Sequence, residues 1–275
     1  MLSSNPFAAL AASIPPGVMQ TYVIVMILLV VAGTLFDVVH KGSAKYFFAN
    51  WRKSKDKGGR QLFGGELASI AVQTAVVDVL ASGEFCNPRR RVAHLLTMYG
   101  FVMHVVTTAI MVFGYGTPAT PTPAILPQLW WLGGLMAAVG GYWFWFFIRV
   151  DVAAEGSSPF RLMKADLFIL SLLATVTFAL LWAAAGGGVG LLFGLYVIAA
   201  TVLFAGVPWS KFAHMFFKPA AAFEKRVSKA TGAAENLPTQ TRDDPAQRER
   251  HSMELLRDAP MDMGLGIKRE APRHY

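Results

Sequence analysis

"RRRVAHLLTMYGFVMHVV", Arg89 to Val106, is the stretch on which the reading of this chain turns. Three arginines open it, and an apolar run of membrane length follows with His94 and His104 inside it. An imidazole placed in hydrocarbon is costly unless it has a partner. On one helix, His104 lies ~15 Å further along than His94 and is rotated from it by ~80°. The partner is a neighbouring helix, a proton or a metal, and the rest of the chain bears on which.

The 275 residues are 54% hydrophobic and only 15% charged, which is the composition of a membrane protein. The single cysteine, Cys86, excludes an intrachain disulfide. It also excludes a four-cysteine iron–sulfur cluster or cysteine-rich zinc site built from this chain alone. Crossing ~30 Å of hydrocarbon takes ~20 apolar residues. Five stretches qualify: Gly17 to Val39, Val92 to Phe113, Leu129 to Ile148, Leu167 to Ala185 and Leu191 to Val207. Prolines in "GYGTPATPTPAILPQ" separate the second from the third, and the glycines of "AAAGGGVG" favour a tight turn between the fourth and fifth. No Lys or Arg precedes the first stretch, so it lacks the basic start of a signal peptide and is expected to be retained.

Charge then orients the bundle. No charged residue occurs in 1–36, 101–148 or 167–210. All 25 Lys and Arg therefore fall in the first inner loop, the second inner loop, the tail or the adjoining span edges. With five spans these segments share one face. The positive-inside rule places that face in the cytoplasm of a bacterial inner membrane and the N-terminus in the periplasm. The net charge of +8 is thus a topology signal, and no nucleic-acid motif accompanies it. Trp130, Trp131, Trp182 and Trp209 fall at span ends, as interfacial belts do. The run "YWFWFF", Tyr142 to Phe147, reads either as lipid or helix packing or as a wall beside a planar cofactor.

The expected fold is all-α: an integral membrane bundle of five helices over residues 1–220, with a polar cytoplasmic tail over 221–275. In the first loop, "KYFFANWRKSKDKGGR" suits anionic headgroups. The apolar stretch Leu67 to Leu80 is too short to span, and reads as an amphipathic helix at the interface or against a partner. The tail from Phe223 is polar and broken by four prolines, so by itself it should be disordered. "QRERHSMELLRDAP" has the pattern of a short helix. The tail is either solvated or ordered by wrapping a soluble partner.

Of the six histidines, His251 and His274 read as surface residues and His40 as interfacial. His214 ends the fifth stretch in "VPWSKFAHMFFKP". The second and fifth spans run antiparallel, so His94 and His214 fall at similar depth near the cytoplasmic edge. Two imidazoles facing each other are the ligand set of a low-spin b-type haem. The competing reading gives each histidine a hydroxyl or carbonyl partner across the bundle. A proton pathway would bring intramembrane acids, and none lies deep in the spans. A small transporter would show internal repeats or broken helices, and no repeat is visible.

"CNPRRRVAHLLTMYGFVMHVVTTAIMVF" resembles the second span of the gamma-subunit family of respiratory nitrate reductase. It is similar also to membrane subunits of sulfite-reductase-linked and heterodisulfide-reductase-like complexes. There, two haem-ligating histidines stand ten residues apart on the second span, which here are His94 and His104. The family's fifth span ends in Pro, a basic residue and His, here Pro208, Lys211 and His214 in "PWSKFAH". Its other ligand lies eighteen residues earlier, where this chain has Tyr196. That departure puts a second haem on His104 in question. Within the group, five spans, the "FDVVHKGSAKYFFANWRKS" loop and a polar tail are most similar to membrane anchors associated with dissimilatory adenylylsulfate reductase.

The resemblance implies a cytochrome b subunit, and not an enzyme by itself, with no catalytic residue. It would carry electrons between cytoplasmic flavin and iron–sulfur oxidoreductase subunits and the quinone pool. Haem iron would be held by His94 and His214, with His104 as ligand to any second haem. Lys211 and Arg91, with Arg89 and Arg90, would face the propionates. The alternatives are a haem-free anchor that recruits a soluble partner, or a small transporter. Membrane lipid is a partner in every case.

Overall fold

Proline begins three of the helices, at Pro6, Pro16 and Pro88, where its missing N–H is no loss and its fixed φ suits the first turn. The computed structural model describes residues 2–40, 42–83, 85, 88–149, 160, 162–163, 166–210 and 214–233, the side chains of Lys55 and His214 aside. Every regular element among them is helical. The order is α1 (Pro6–Leu10), α2 (Pro16–His40), α3 (Ser43–Asp56), α4 (Gly64–Gln73), α5 (Pro88–Gly114), α6 (Ile125–Trp143), α7 (Leu167–Ala184), α8 (Leu191–Ala205) and α9 (His214–Ala230). Wider π turns extend α4 through Thr74–Leu80 and α6 through Phe144–Ile148.

Among the described residues, four helices are long and apolar enough to cross a membrane: Pro16–His40, Pro88–Gly114, Ile125–Ile148 and Leu167–Ala184. The fifth expected span differs. α8 has 15 residues, about 22 Å of helix, short of a ~30 Å core. It stops at Ala205 because Gly206 and Pro208 follow. Proline offers no N–H to continue the α-helical ladder. A 3-10 turn, Val207–Trp209, replaces the helix there.

The chain divides into two units, Met1–Ala44 with Asn87–Lys218, and Lys45–Cys86 with Pro219–Tyr275. The first holds the long helices. α5 and α6 pair along their length, and α7 and α8 form a hairpin. That hairpin turns at Gly186 and Gly187, whose φ of +98° and +76° lie in the left-handed region that glycine enters without a Cβ clash. α1 closes one end of the bundle. Asn5 caps it through Phe7 N–H at 2.9 Å, and its amide donates to the Tyr115 carbonyl at 2.8 Å. Phe7 then meets the faces of Trp130 and Trp182 edge-on, at 6.0 and 5.3 Å between ring centres.

In the second unit α3, α4 and α9 are joined by polar contacts. Arg226 donates through two nitrogens to Asp78, one bond being 2.9 Å, and Ser54 donates to Glu224 at 3.3 Å. Trp51 stacks on Phe223 at 5.6 Å. These contacts explain why α9 continues to Ala230, eight residues into the segment expected to lack structure of its own: Phe223, Glu224 and Arg226 each have a partner here. The stretch "QRERHSMELLRDAP" lies outside the described residues.

Candidate functional site: a buried imidazole between two close-packed helices

Two helices approach closely when the residues between them are small. α6 reads "ILPQLWWLGGLMAAVGGYW", and its Gly133, Gly134, Ala137, Gly140 and Gly141 recur at helical spacing along one side. α5 answers with Ala93, Thr97, Gly100 and His104, again one face. A Cβ on Gly100 would lie 2.6 Å from the Gly133 carbonyl oxygen, and one on Gly140 would lie 2.6 Å from the Ala93 carbonyl oxygen. Neither position admits a side chain without parting the backbones.

His104 lies in this seam, 2% exposed. A Cβ at Gly134 would stand 3.1 Å from its Nδ1, so the missing side chain is what makes room for the ring. Nδ1 lies 3.0 Å from the Trp130 carbonyl oxygen. A carbonyl only accepts, so Nδ1 carries the proton and donates; in the neutral ring Nε2 then holds a lone pair. The Trp130 ring lies 4.4 Å from the imidazole centre, tilted by 31°. Its indole N–H donates to Thr108 Oγ1 at 2.8 Å, and Thr108 donates to the His104 carbonyl at 2.7 Å. Trp130 thus holds His104 from two sides, fixing tautomer and ring plane together. Among the described residues Nε2 is buried with no hydrogen-bond partner, as is the indole nitrogen of Trp131. The result is a locked imidazole whose basic nitrogen is uncommitted.

Of the other expected site residues, His94 and Arg91 lie outside this cluster. His94 is half-buried on α5, one residue away from the face that meets α6. Arg91 is half-buried, and Arg89 and Arg90 are exposed. His214 begins α9, its side chain outside the described residues, as are Lys211, His251 and His274. His40 is exposed and stacks on Phe36 at 5.3 Å. Tyr196 is buried, stacks on Trp182 at 5.7 Å and meets the Thr108 hydroxyl, one helical turn beyond His104. On a straight helix Tyr196 falls ~27 Å from His214 and out of depth with His104. The break after Ala205 removes that straight helix. Among the described residues no group of three or more His, Cys, Asp or Glu comes together to hold a metal.

Three features escaped the sequence reading. Asp37, near the inner end of the first span, is 1% exposed. A faint signal existed: it stands four residues from Gly33, whose face meets Val207 and Pro208, a Cβ there lying 3.1 Å from Pro208 Cδ. Arg149 and Asp166 form a buried, two-pronged ion pair between the end of α6 and the start of α7, with the guanidinium carbon 4.1 Å from the Trp145 ring centre. Their separation of 17 residues hides the pairing from any local pattern. Tyr142, Trp145 and Phe146 line an open groove between α6 and α7, beside Leu173, Thr177 and Phe178. The aromatic run is therefore a groove wall, with a Tyr142–Thr177 hydroxyl contact of 2.9 Å as its polar point.

Comparison with known proteins settles the family. A sequence model described as citrate utilization protein B matches residues 22–235. The chain belongs to the citrate utilization protein B family. It is 27% identical over 200 residues to the curated citrate utilization protein B of Escherichia coli, an alignment covering 67% of this chain and 52% of that protein. The chain thus spans about half the length of the curated relative it matches. No solved structure matches.

This membership overturns the resemblance to nitrate reductase gamma subunits and adenylylsulfate reductase anchors. The function drawn from it, haem-based electron transfer by a cytochrome b anchor in sulfur metabolism, falls with it, and so do the haem-free anchor and the small transporter. The physical reason is that helical histidines ten residues apart specify an angle and a rise, not a ligand. The structure accounts for one of them by packing against α6.

Proposed function

We propose that this chain serves citrate utilisation from within the membrane, with His104 as its working side chain. The family match over residues 22–235 supports the cellular role. The observation that carries the site is the buried, uncommitted Nε2 of a ring held by Trp130. Citrate itself is a poor occupant for that position. Residues 92–148 and 167–210 of the bundle contain no Lys or Arg, and a multiply charged anion there would stand without counter-charge. Nε2 instead serves an electron-poor group or a proton. His94, His214, Lys211 and Arg91 are proposed as a second polar group toward the Pro88 end of α5, on the strength of their sequence positions.

The topology belongs to the same proposal. α8 counts as a fifth crossing, helped by the turn that follows it, with the N-terminus periplasmic and the charged segments cytoplasmic. The segregation of all Lys and Arg supports this orientation. The test is complementation in a strain lacking the endogenous gene and grown on citrate as carbon source. His104→Asn keeps a donor for the Trp130 carbonyl but removes the basic nitrogen. Wild-type membrane levels with lost growth are expected. Growth equal to wild type overturns the assignment of His104. Failure of the wild-type chain to support growth overturns the citrate role.

A further inference from the structure

Helix α3 has its polarity turned inward. Its face within the second unit carries Asn50, 5% exposed, and Ser54, fully buried, beside the Trp51–Phe223 stack. Its outer face carries Tyr46 and Phe48, 64% and 58% exposed. Lys45, Arg52 and Lys53 share that outer face, all exposed. A helix in water would bury the two aromatics and expose the amide and hydroxyl. The order along the axis is also informative. α3 starts at Ser43, three residues after the membrane-length α2 ends at His40, so covalent reach alone keeps its first turn close to the membrane surface. Lys45 and the two aromatics lie in its first two turns, and the other cations follow. From Ser43 to Arg60 the sequence holds six Lys and Arg against one acid, Asp56.

We propose that the outer face of α3 docks on anionic phospholipid, with Tyr46 and Phe48 seated among the headgroups and Lys45, Arg52 and Lys53 drawn to their phosphates. Aromatic rings with one polar end favour the headgroup layer. Lysine and arginine gain from a negative surface within a Debye length of it. The charge complementarity selects an anionic leaflet over a neutral one. This inference does not depend on the citrate reading.

The experiment uses the full chain, with Cys86→Ser and Phe48→Cys carrying a spin label, in nanodiscs of phosphatidylcholine alone or with a third phosphatidylglycerol. Collision with oxygen reports lipid, and collision with a water-soluble nickel chelate reports solvent. In the anionic discs, nickel collision should fall several-fold and oxygen collision should rise relative to the neutral discs. High salt should reduce the difference, and Lys45→Gln/Arg52→Gln/Lys53→Gln should abolish it. None of these substitutions touches the face that holds Ser54 or Trp51, so the unit stays folded. A label equally open to nickel in both lipids overturns the proposal. A label shielded from both collision partners in both lipids also overturns it, since protein then covers the face.

Discussion

His94 and His104 stand on the same helix, and only one of them is sealed into the protein. Depth does not separate them: Gly140 packs against Ala93 as tightly as Gly133 packs against Gly100, so α5 and α6 are close at both levels. The difference is angular. Residues 93, 97, 100 and 104 repeat on the face toward α6, whereas 94 stands one residue, about 100°, away from it. A single step around the helix decides whether an imidazole is 2% exposed or half open.

The largest effect should come from forcing the seam apart. Gly100→Val and Gly140→Val each place carbon against backbone, and overpacking of this kind costs about 1–3 kcal/mol or more. Loss of folded protein from the membrane fraction is expected for both. Gly114→Ala, whose Cβ meets nothing within 4 Å, should leave the amount unchanged. Equal tolerance at all three positions would break the account of the seam. Next in size, the two histidines should respond unequally to leucine. His104→Leu removes a buried donor from the Trp130 carbonyl and should cost about 1–3 kcal/mol. His94→Leu, at a position only half-buried, should cost less. Thermal unfolding in detergent measures both, and equal shifts would erase the contrast.

A smaller effect tests the second strut. Thr108→Val strands the Trp130 indole N–H and should cost about 1 kcal/mol, with the His104 ring less rigidly held. Combined with His104→Leu, the loss should be less than the sum, because both act on Trp130; strict additivity would mean that the two struts are independent. Arg149→Lys is the outside comparison. It exchanges a two-pronged guanidinium for a single ammonium beside Asp166. It should lower stability while leaving the additivity result at Trp130 unaltered.

The sequence by itself determined where the membrane-length helices lie, because length, hydropathy and charge act locally and each boundary carries a local stop. Pro16 and Pro88 start helices, the proline-rich loop ends one, and Gly186 with Gly187 turns the α7–α8 hairpin. The same local signals set His94 and His104 at a definite angle and rise. Only the tertiary structure decided which of them faces inward, since periodicity yields the rotation between residues and not the direction of the neighbour. The glycines of α6 supplied that direction, and they stood in plain view at Gly133, Gly134, Gly140 and Gly141. The Arg149–Asp166 pair was not legible, because it joins segments that meet only after folding. Nor did a histidine spacing identify the family. Imidazole serves hydrogen bonds, protons and metals alike, and what surrounds Nε2 in space, not its place in the chain, determines which of these it can bind.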